Sequence, residues 1–301
     1  MIDTRELRMV LSCNGRTLPL GKHEDFDIEK IEGLESADFQ LQSSDMALVD
    51  GEDILGKKIA ARTIHIEASL HDDEYNESYR EQLIRFFNPK HTGTLYINNM
   101  GVERQIDYEI EGWTFQQKDL WEPLKFIADL ICPDPYMLGL DATGTRVDKK
   151  KKMFAFPWVC LKQKTILEPP DNLRGYQGQI MGYVIRDYIA EIHNDGDVPT
   201  GFIVTIRARK GTAKNPKIMN ANTGQYIKVL IDLVQGDVLV ITMSERVRTI
   251  KLNGQNVYMK IDRSSSPFML EAGDNELEFW ADENYQNLEI GLSYTLRYLG
   301  V

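Results

Sequence analysis

The chain has 301 residues, of which 42% are hydrophobic and 27% charged, so it can bury a large core and form roughly two domains. Its net charge of -11 at pH 7 disfavours loose binding to nucleic acid or to anionic lipid. Cys13, Cys132 and Cys160 are too few and too widely spaced for a disulfide framework or a paired metal site. No run approaches the ~18 apolar residues of a membrane span, so we expect a globular protein that folds where it is made, without membrane insertion.

The beginning of the chain predicts strands, because apolar and polar residues alternate there. The alternating segments are LRMVLSCNG, FDIEKIEG and ARTIHIEASL. Between the last two, SSDMALVDGEDILGKK has no clear period and contains Gly51 and Gly56. It therefore predicts a long loop outside the core.

One amphipathic helix is predicted in DDEYNESYREQLIRFFNP. Asp72 or Asp73 can cap its first turn, and Pro89 prevents its continuation. Its apolar residues fall on one face at helical spacing, namely Tyr75, Tyr79, Leu83, Phe86 and Phe87.

After the helix, TLYINNMGVERQIDYEIEGWTF predicts a hairpin of two strands with its turn at residues 98–101. The segment DLWEPLKFIADLIC predicts a further strand pair or one long bent strand. Pro133 and Pro135 end it, since proline donates no ladder hydrogen bond and restricts the residue before it.

Beyond these prolines, LGLDATGTRVDKKKKM predicts a solvated connector, because it has no period and carries four lysines at 149–152. From Met153 onward, strand patterns follow one another with Asn-Gly, Asp-Gly and Gly-Asp turns and no helical stretch. This regular spacing predicts an antiparallel β-sandwich. We expect two domains, residues 1–145 and 146–301.

No motif in the sequence predicts catalysis, a cofactor or a metal. GEDILGKK lacks the Ser or Thr of a P-loop and is followed by a strand pattern. The clusters at His23 and His71 lack the spacing of helical metal ligands, and carboxylates near His71 suit a helix start. Ser264, Ser265 and Ser266 lie in a turn, where hydroxyls are expected to bond to the backbone. We therefore expect a protein that is not an enzyme.

Tryptophans offer a weak signal for sugar binding, since exposed aromatic rings can stack on sugars. Four are present: Trp113, Trp121, Trp158 and Trp280. Packing in the core or between subunits is the competing interpretation for all of them. Trp280 and Tyr285, near a strand end, are the predicted carbohydrate contacts.

The order of short segments resembles the distal tail protein family of siphophages, the long-tailed phages. The first half carries SCNGRTLPLG, ARTIHIEASL, FFNP, TLYINNMG and ICPDPYM. The second half carries IHNDGDVPTGFIVTIRA, NPKIMNANTGQYI, GDVLVIT, KLNGQN, SSSPFMLEAGDNELEFWA and YTLRYLGV. The resemblance covers nearly the whole chain.

This resemblance implies a mainly β protein of two domains. The first is expected to be a β-sandwich with one α-helix, related to tail-tube proteins, and the second a galectin-like antiparallel β-sandwich. Six copies would close into a ring, single or stacked, at the virion tail tip after assembly in the host bacterial cytoplasm. The ring would join the tail tube to tail-associated lysin or tail fibre and receptor-binding proteins, with DNA passing through its lumen without specific binding.

For the ring contacts we predict two places, the Gly-rich segment and the hairpin turn. The predicted residues are Gly51, Leu55, Gly56, Tyr96 and Asn99. Two other functions stay open from the sequence. One is a carbohydrate-binding module that adheres to host cell-wall polymer, and the other is a cell-wall hydrolase, for which no acid/base pair can be located.

Overall fold

The computed structural model describes residues 6–45, 50–70, 76–116, 123–140, 143–146, 149–151 and 185–301. Asp72, Asp73 and Tyr75 of the predicted helix, the His71 cluster, and Trp121 and Trp158 lie outside the described residues. Within them the chain is mainly β with one α-helix, which confirms the predicted fold class.

The first domain contains ten strands and the helix. They are β1 (Arg8–Cys13), β2 (Arg16–Leu20), β3 (Phe26–Glu32), β4 (Phe39–Asp45), β5 (Glu52–Ile59), β6 (Arg62–Leu70), α1 (Asn76–Phe86), β7 (Gly93–Asn99), β8 (Val102–Gln116), β9 (Lys125–Cys132) and β10 (Met137–Leu138). β7 and β8 form the predicted hairpin, with positive φ at Met100 and Gly101 as a tight two-residue turn requires.

The main sheet of this domain closes on itself in the order β8-β7-β1-β2-β3-β6-β9, with β9 pairing back onto β8. Strand β8 makes this possible because residues 102–108 pair with β7 while residues 109–116 pair with β9. The register shifts between Ile110 and Gly112, and such a bulge bends a strand. One strand therefore belongs to both layers around the apolar core.

The helix covers a weak seam in this sheet. β2 and β3 share only the pair Leu20↔Phe26. On one side of the seam the Arg16 guanidinium donates to the carbonyl of Arg85 at 2.9 Å, and on the other the Tyr79 ring lies 5.5 Å from that of Phe26. The apolar face predicted from helical spacing is buried at Leu83, Phe86 and Phe87.

Two segments predicted as irregular contain strands. The predicted loop around Gly51 is the hairpin β4–β5, and the predicted connector contains residues 143–146 and 149–151 in strands. Both predictions were wrong for the same reason. The segments contain no apolar/polar alternation, and in the hairpin β4–β5 the reason is that β5 buries little side-chain surface.

The second domain contains the remaining strands, beginning with residues that follow the double proline. They are β11 (Thr143–Arg146), β12 (Lys149–Lys151), β13 (Ile185–Asp187), β14 (Ile189–Asn194), β15 (Phe202–Ala208), β16 (Ala213–Asn220), β17 (Tyr226–Lys228), β18 (Asp232–Leu233), β19 (Val238–Met243), β20 (Arg248–Leu252), β21 (Gln255–Asn256), β22 (Gly273–Glu283) and β23 (Leu288–Tyr294). The last strand of the chain is β24 (Arg297–Tyr298).

Two antiparallel sheets of this domain enclose its core. One has the order β11-β23-β15-β19-β20-β21, and the other the order β14-β22-β16-β17 with β18 beside β16. Their inward side chains form one apolar cluster, which includes Val204, Ile218, Leu239 and Leu277. The predicted antiparallel sandwich is confirmed, while its galectin-like character stays a prediction.

Strand pairing crosses the predicted boundary at residue 145 in both directions. β11 belongs to the sheet of β23, whereas β24 at the other end of the chain pairs with β10 in the first domain. The division 1–145 and 146–301 therefore stays a prediction about folding units. The domains share strands near their junction.

A buried hydroxyl in the first domain yields a stability prediction. Tyr108 is fully buried, and its hydroxyl has no hydrogen-bond partner among the described residues. Tyr108→Phe is expected to raise the free energy of unfolding by about 1 kcal/mol, because it removes an unpaired polar group. In the second domain the Tyr294 hydroxyl donates to the carbonyl of His193 at 3.2 Å. Tyr294→Phe is therefore the control, because it removes a formed hydrogen bond and is expected to lower the free energy of unfolding. Urea denaturation that shows Tyr108→Phe to be less stable than the parent would contradict this.

A histidine between β6 and β9 yields a pH prediction. The ring of His65 lies 2.6 Å from Asp129 and 3.2 Å from Glu67, and the hydrogen bond with Asp129 is the main cause that raises the pKa of His65. A raised folded-state pKa stabilises the fold below the unfolded value of 6.5, and the gain is lost as pH rises through the folded value. His65→Gln should therefore cost more stability at about pH 5.5 than at about pH 9. Equal costs in urea melts at both pH values would refute the pairing.

Candidate assembly surfaces

The hairpin β4–β5, called the arm from here on, stands apart from both domains' sheets. In the described part of the chain neither of its strands pairs with a strand of another sheet. A backbone hydrogen bond from Ala60 to the carbonyl of Asp38, 2.8 Å long, closes its base. An isolated two-stranded hairpin is at best marginally stable in water, so the arm needs a covering surface.

The large apolar side chains of the arm lie on one face, called the apolar face although it also carries Lys57, and the other face is polar. Residue pairing places Phe39, Leu41 and Ile54 on the same face, while Leu55 is the extra residue at a bulge. These four side chains are 70%, 60%, 55% and 72% exposed, in that order. The opposite face carries Gln40, Gln42, Ser44, Asp53 and Lys58. A groove of about 770 Å³ runs from the apolar face to Pro135 and Tyr136.

The five predicted ring-contact residues lie on two separate elements. Gly51 and Gly56 border or belong to β5 in the arm together with the exposed Leu55. Tyr96 and Asn99 belong to β7, where Tyr96 is exposed and Asn99 precedes the hairpin turn. These two elements belong to different sheets and do not pair with each other, and the ring contacts at both stay a prediction.

The structure brings the two predicted carbohydrate contacts together. Trp280 lies on the outer face of β22 and is 53% exposed, and Tyr285 follows β22 and is 43% exposed. Their ring centroids are 6.3 Å apart, and the indole nitrogen of Trp280 donates to Glu278 at 3.1 Å. Two neighbouring exposed rings beside a carboxylate can stack on a sugar, but they equally suit a protein contact.

The motifs rejected from sequence take structural roles. Gly51–Lys58 is a turn and a strand, with no helix after it. Ser265 accepts from the Lys228 amide at 3.0 Å, as the turn prediction expects, whereas the Ser264 hydroxyl donates to the side-chain carboxylate of Asp262 at 2.8 Å and not to the backbone. Over the residues that the structure describes, no three His, Cys, Asp or Glu side chains are grouped to hold a metal. No described helix is long and apolar enough to cross a membrane.

Sequence reasoning missed the polar cluster at the domain junction. The Arg62 guanidinium, 1% exposed, donates to the carbonyls of Gly33 (2.8 Å), Leu34 (2.9 Å), Pro135 (3.0 Å) and Leu299. Arg297 binds both carboxylate oxygens of Asp134, at 2.8 and 3.0 Å, and also Glu245 at 3.1 Å. Backbone acceptors leave no sequence signal, so only the fold reveals why Arg62 is buried; the carboxylates that bind Arg297 lie far from it in the chain.

Two family models match successive parts of the chain. A phage tail protein RIFT-related domain matches residues 14–119, and a siphovirus-type tail component, C-terminal domain, matches residues 195–298. No individually curated protein matches the chain significantly.

A solved structure shares its fold along nearly the whole length. The Dit protein (gp 19.1) of phage SPP1, described as a paradigm of hub adsorption apparatus in phages infecting Gram-positive hosts, is 14% identical over 97% of this chain and 99% of its own, with a TM-score of 0.68. A chain of the phage P2 baseplate in its activated conformation with Ca is 12% identical over 97% of each chain, with a TM-score of 0.48. Because the two family models follow each other in the order predicted from the sequence, the chain belongs to the siphophage distal tail protein family, a family of structural tail components.

Proposed function

We propose that six copies of this chain close into a ring that joins the phage tail tube to the tail tip. The ring works by self-assembly and by docking of other proteins, without catalysis. Its neighbours are the tail tube protein on one side and tail-associated lysin, tail fibre or receptor-binding proteins on the other. Family membership supports a tail hub or baseplate role, and the six-fold ring is the more specific step.

The observation that carries this proposal is the exposed apolar face of the arm. A ribbon that extends from its own domain with four large apolar side chains in solvent is a liability unless another molecule covers it. In a closed ring each copy offers its arm to the next copy, so every arm is covered. A permanent assembly of this kind needs roughly 2,000 Å² or more of buried surface per contact.

The charge of the chain fits a channel for DNA. Each copy carries a net charge of -11, so a ring of such copies repels phosphate groups instead of binding them. DNA would then pass through the lumen without specific contacts. We propose that the ring is assembled in the host cytoplasm and resides at the virion tail tip.

The mass of the purified protein tests the ring. Light scattering coupled to size exclusion should give six copies, or twelve if two rings stack, and electron micrographs should show six-fold rings. A single copy at all concentrations up to tens of micromolar, with added tail tube protein failing to promote ring closure, would refute the proposal.

The second candidate is adhesion to cell-wall carbohydrate, which the adjacent exposed rings of Trp280 and Tyr285 favour. On a glycan array the full chain should then bind saturably, and Trp280→Ala should lose about 1 kcal/mol or more of that binding. Met259→Ala, at an exposed methionine elsewhere on the second domain, is the control. Absence of binding by the parent protein on the array would rule out the adhesion candidate.

A further inference from the structure

The last residues of the chain, 297–301, lie between the two domains; they are called the strap from here on. On the side of the first domain, β24 pairs with β10, and the Val301 amide donates to the carbonyl of Leu34 at 3.3 Å. The strap packs tightly against the first domain at Gly300. A Cβ added to Gly300 would lie 2.2 Å from the carbonyl oxygen of Glu35, so the backbones are in direct contact.

The second domain holds the same strap from its other side. The Asp197 amide donates to the carbonyl of Arg297 at 2.9 Å, and the Leu299 amide donates to the Asp197 carboxylate at 2.9 Å. A Cβ on Gly196 would lie 2.6 Å from the carbonyl oxygen of Arg297. The turn at residues 195–197 therefore packs closely on the strap.

Side chains of the strap join three elements. Arg297, with only 11% of its side chain exposed, binds Asp134 after β9 and Glu245 between β19 and β20, and its guanidinium lies 4.2 Å from the centre of the Tyr136 ring. The ring of Tyr298 lies 3.4 Å from the guanidinium of Arg104 in β8. Because Arg297 is mostly desolvated and binds both carboxylate oxygens of Asp134, this pair is held more firmly than a surface pair would be, whereas Glu245 is 58% exposed.

The strap also completes the bonding of a buried charge in the first domain. Three acceptors of the Arg62 guanidinium come from residues 33–135, and the fourth is the carbonyl of Leu299 in the strap. Withdrawing the strap would leave this cation with fewer acceptors in an apolar surrounding. The strap therefore packs against the core of the first domain through Tyr298 and Val301, although it follows the last strand of the second.

We propose that residues 297–301 form a latch that makes the two domains one mechanical unit, so that they can change their relative orientation only after the latch has been withdrawn. The segment after β10, which the sequence predicts as a solvated connector, does not set the orientation by itself. This inference does not depend on the oligomeric state or on the partners of the chain.

Hydrogen exchange measured by mass spectrometry on the full chain tests the latch. Gly300→Ala pushes a methyl group against the Glu35 carbonyl, whereas the control Gly291→Ala, in β23, places its methyl group in open space. Gly300→Ala is expected to speed exchange at the amides of Gly139, Asp197 and Val301 at least about tenfold, with β15 and β19 unchanged. Gly291→Ala is expected to leave those amides as they are.

Arg297→Ala provides a second variant that removes the charged contacts without adding bulk. Its matched control is Arg209→Ala, at an exposed arginine that forms only a 3.7 Å surface pair with Glu289. In calorimetry, the parent and both controls should unfold in one transition, and both latch variants in two. Unchanged exchange together with a single transition in Gly300→Ala and Arg297→Ala would overturn the inference, whatever the state of the ring.

Discussion

Replacing Leu55 by aspartate is expected to abolish the ring while leaving each copy folded. Leu55 is 72% exposed on the apolar face of the arm, so the new carboxylate is solvated in a single copy and costs little there. Within a ring contact the same carboxylate would be buried beside Phe39 or Leu41 of the arm without a partner. That costs several kcal/mol per contact, and six identical contacts carry the cost.

The matched control is a substitution on the other face of the arm. Gln40→Asp adds one negative charge to the polar face, so it changes the net charge of the chain equally. Mass photometry should show the Leu55 variant as single copies and the Gln40 variant as rings. The circular dichroism spectra of both variants should match that of the parent protein, which shows that each copy is folded. If Leu55→Asp still formed intact rings, the arm would not be part of the ring contact.

Replacing Arg62 by methionine is expected to be the most destabilising single change in the first domain. Methionine has a similar length but no donor, so the carbonyls of Gly33, Leu34, Pro135 and Leu299 would lose a shared partner inside the protein. Each buried carbonyl left without a donor costs about 1–3 kcal/mol, although some will find water. We expect a total loss of about 3–5 kcal/mol.

Lysine at position 62 separates charge from geometry. It keeps the positive charge but cannot present the planar fork that reaches several carbonyls, so Arg62→Lys should recover only a small part of the loss. Arg85→Ala is the control, because its ion pair with Glu81 is exposed on the helix and contributes about 0.3–0.5 kcal/mol. Urea midpoints measure all three variants. A loss under about 1 kcal/mol for Arg62→Met would show that the carbonyls are satisfied without the guanidinium.

The parts of the fold that could be predicted from sequence are those with a buried face. The helix was recognisable because Tyr79, Leu83 and Phe86 recur at helical spacing, and β6 because ARTIHIEASL alternates. The arm was read as a loop because its apolar residues face solvent and glycines interrupt it. The sequence also predicts Leu55 and the two glycines of this segment as ring contacts, and this stays a prediction.

The junction between the domains could not be predicted, for a different reason. Arg62 reaches acceptors that lie 28 to 237 residues away in the chain, and all of them are main-chain carbonyls that any residue type supplies. Short strands such as β10 and β24, two residues each, give no periodicity at all. Only the three-dimensional path of the chain shows that its final residues return to the first domain.

The helix lying over the seam between β2 and β3 has a consequence for solubility during folding. Where two strands share a single residue pair, a competing strand has few strand contacts to displace. While the helix is undocked, newly made chains would be open to polymerisation through that gap. We expect the docked helix to prevent amyloid-like addition of strands at this seam. Gln82→Pro breaks the helix, so its first expected effect is that more of the protein is found in the insoluble fraction of the cells.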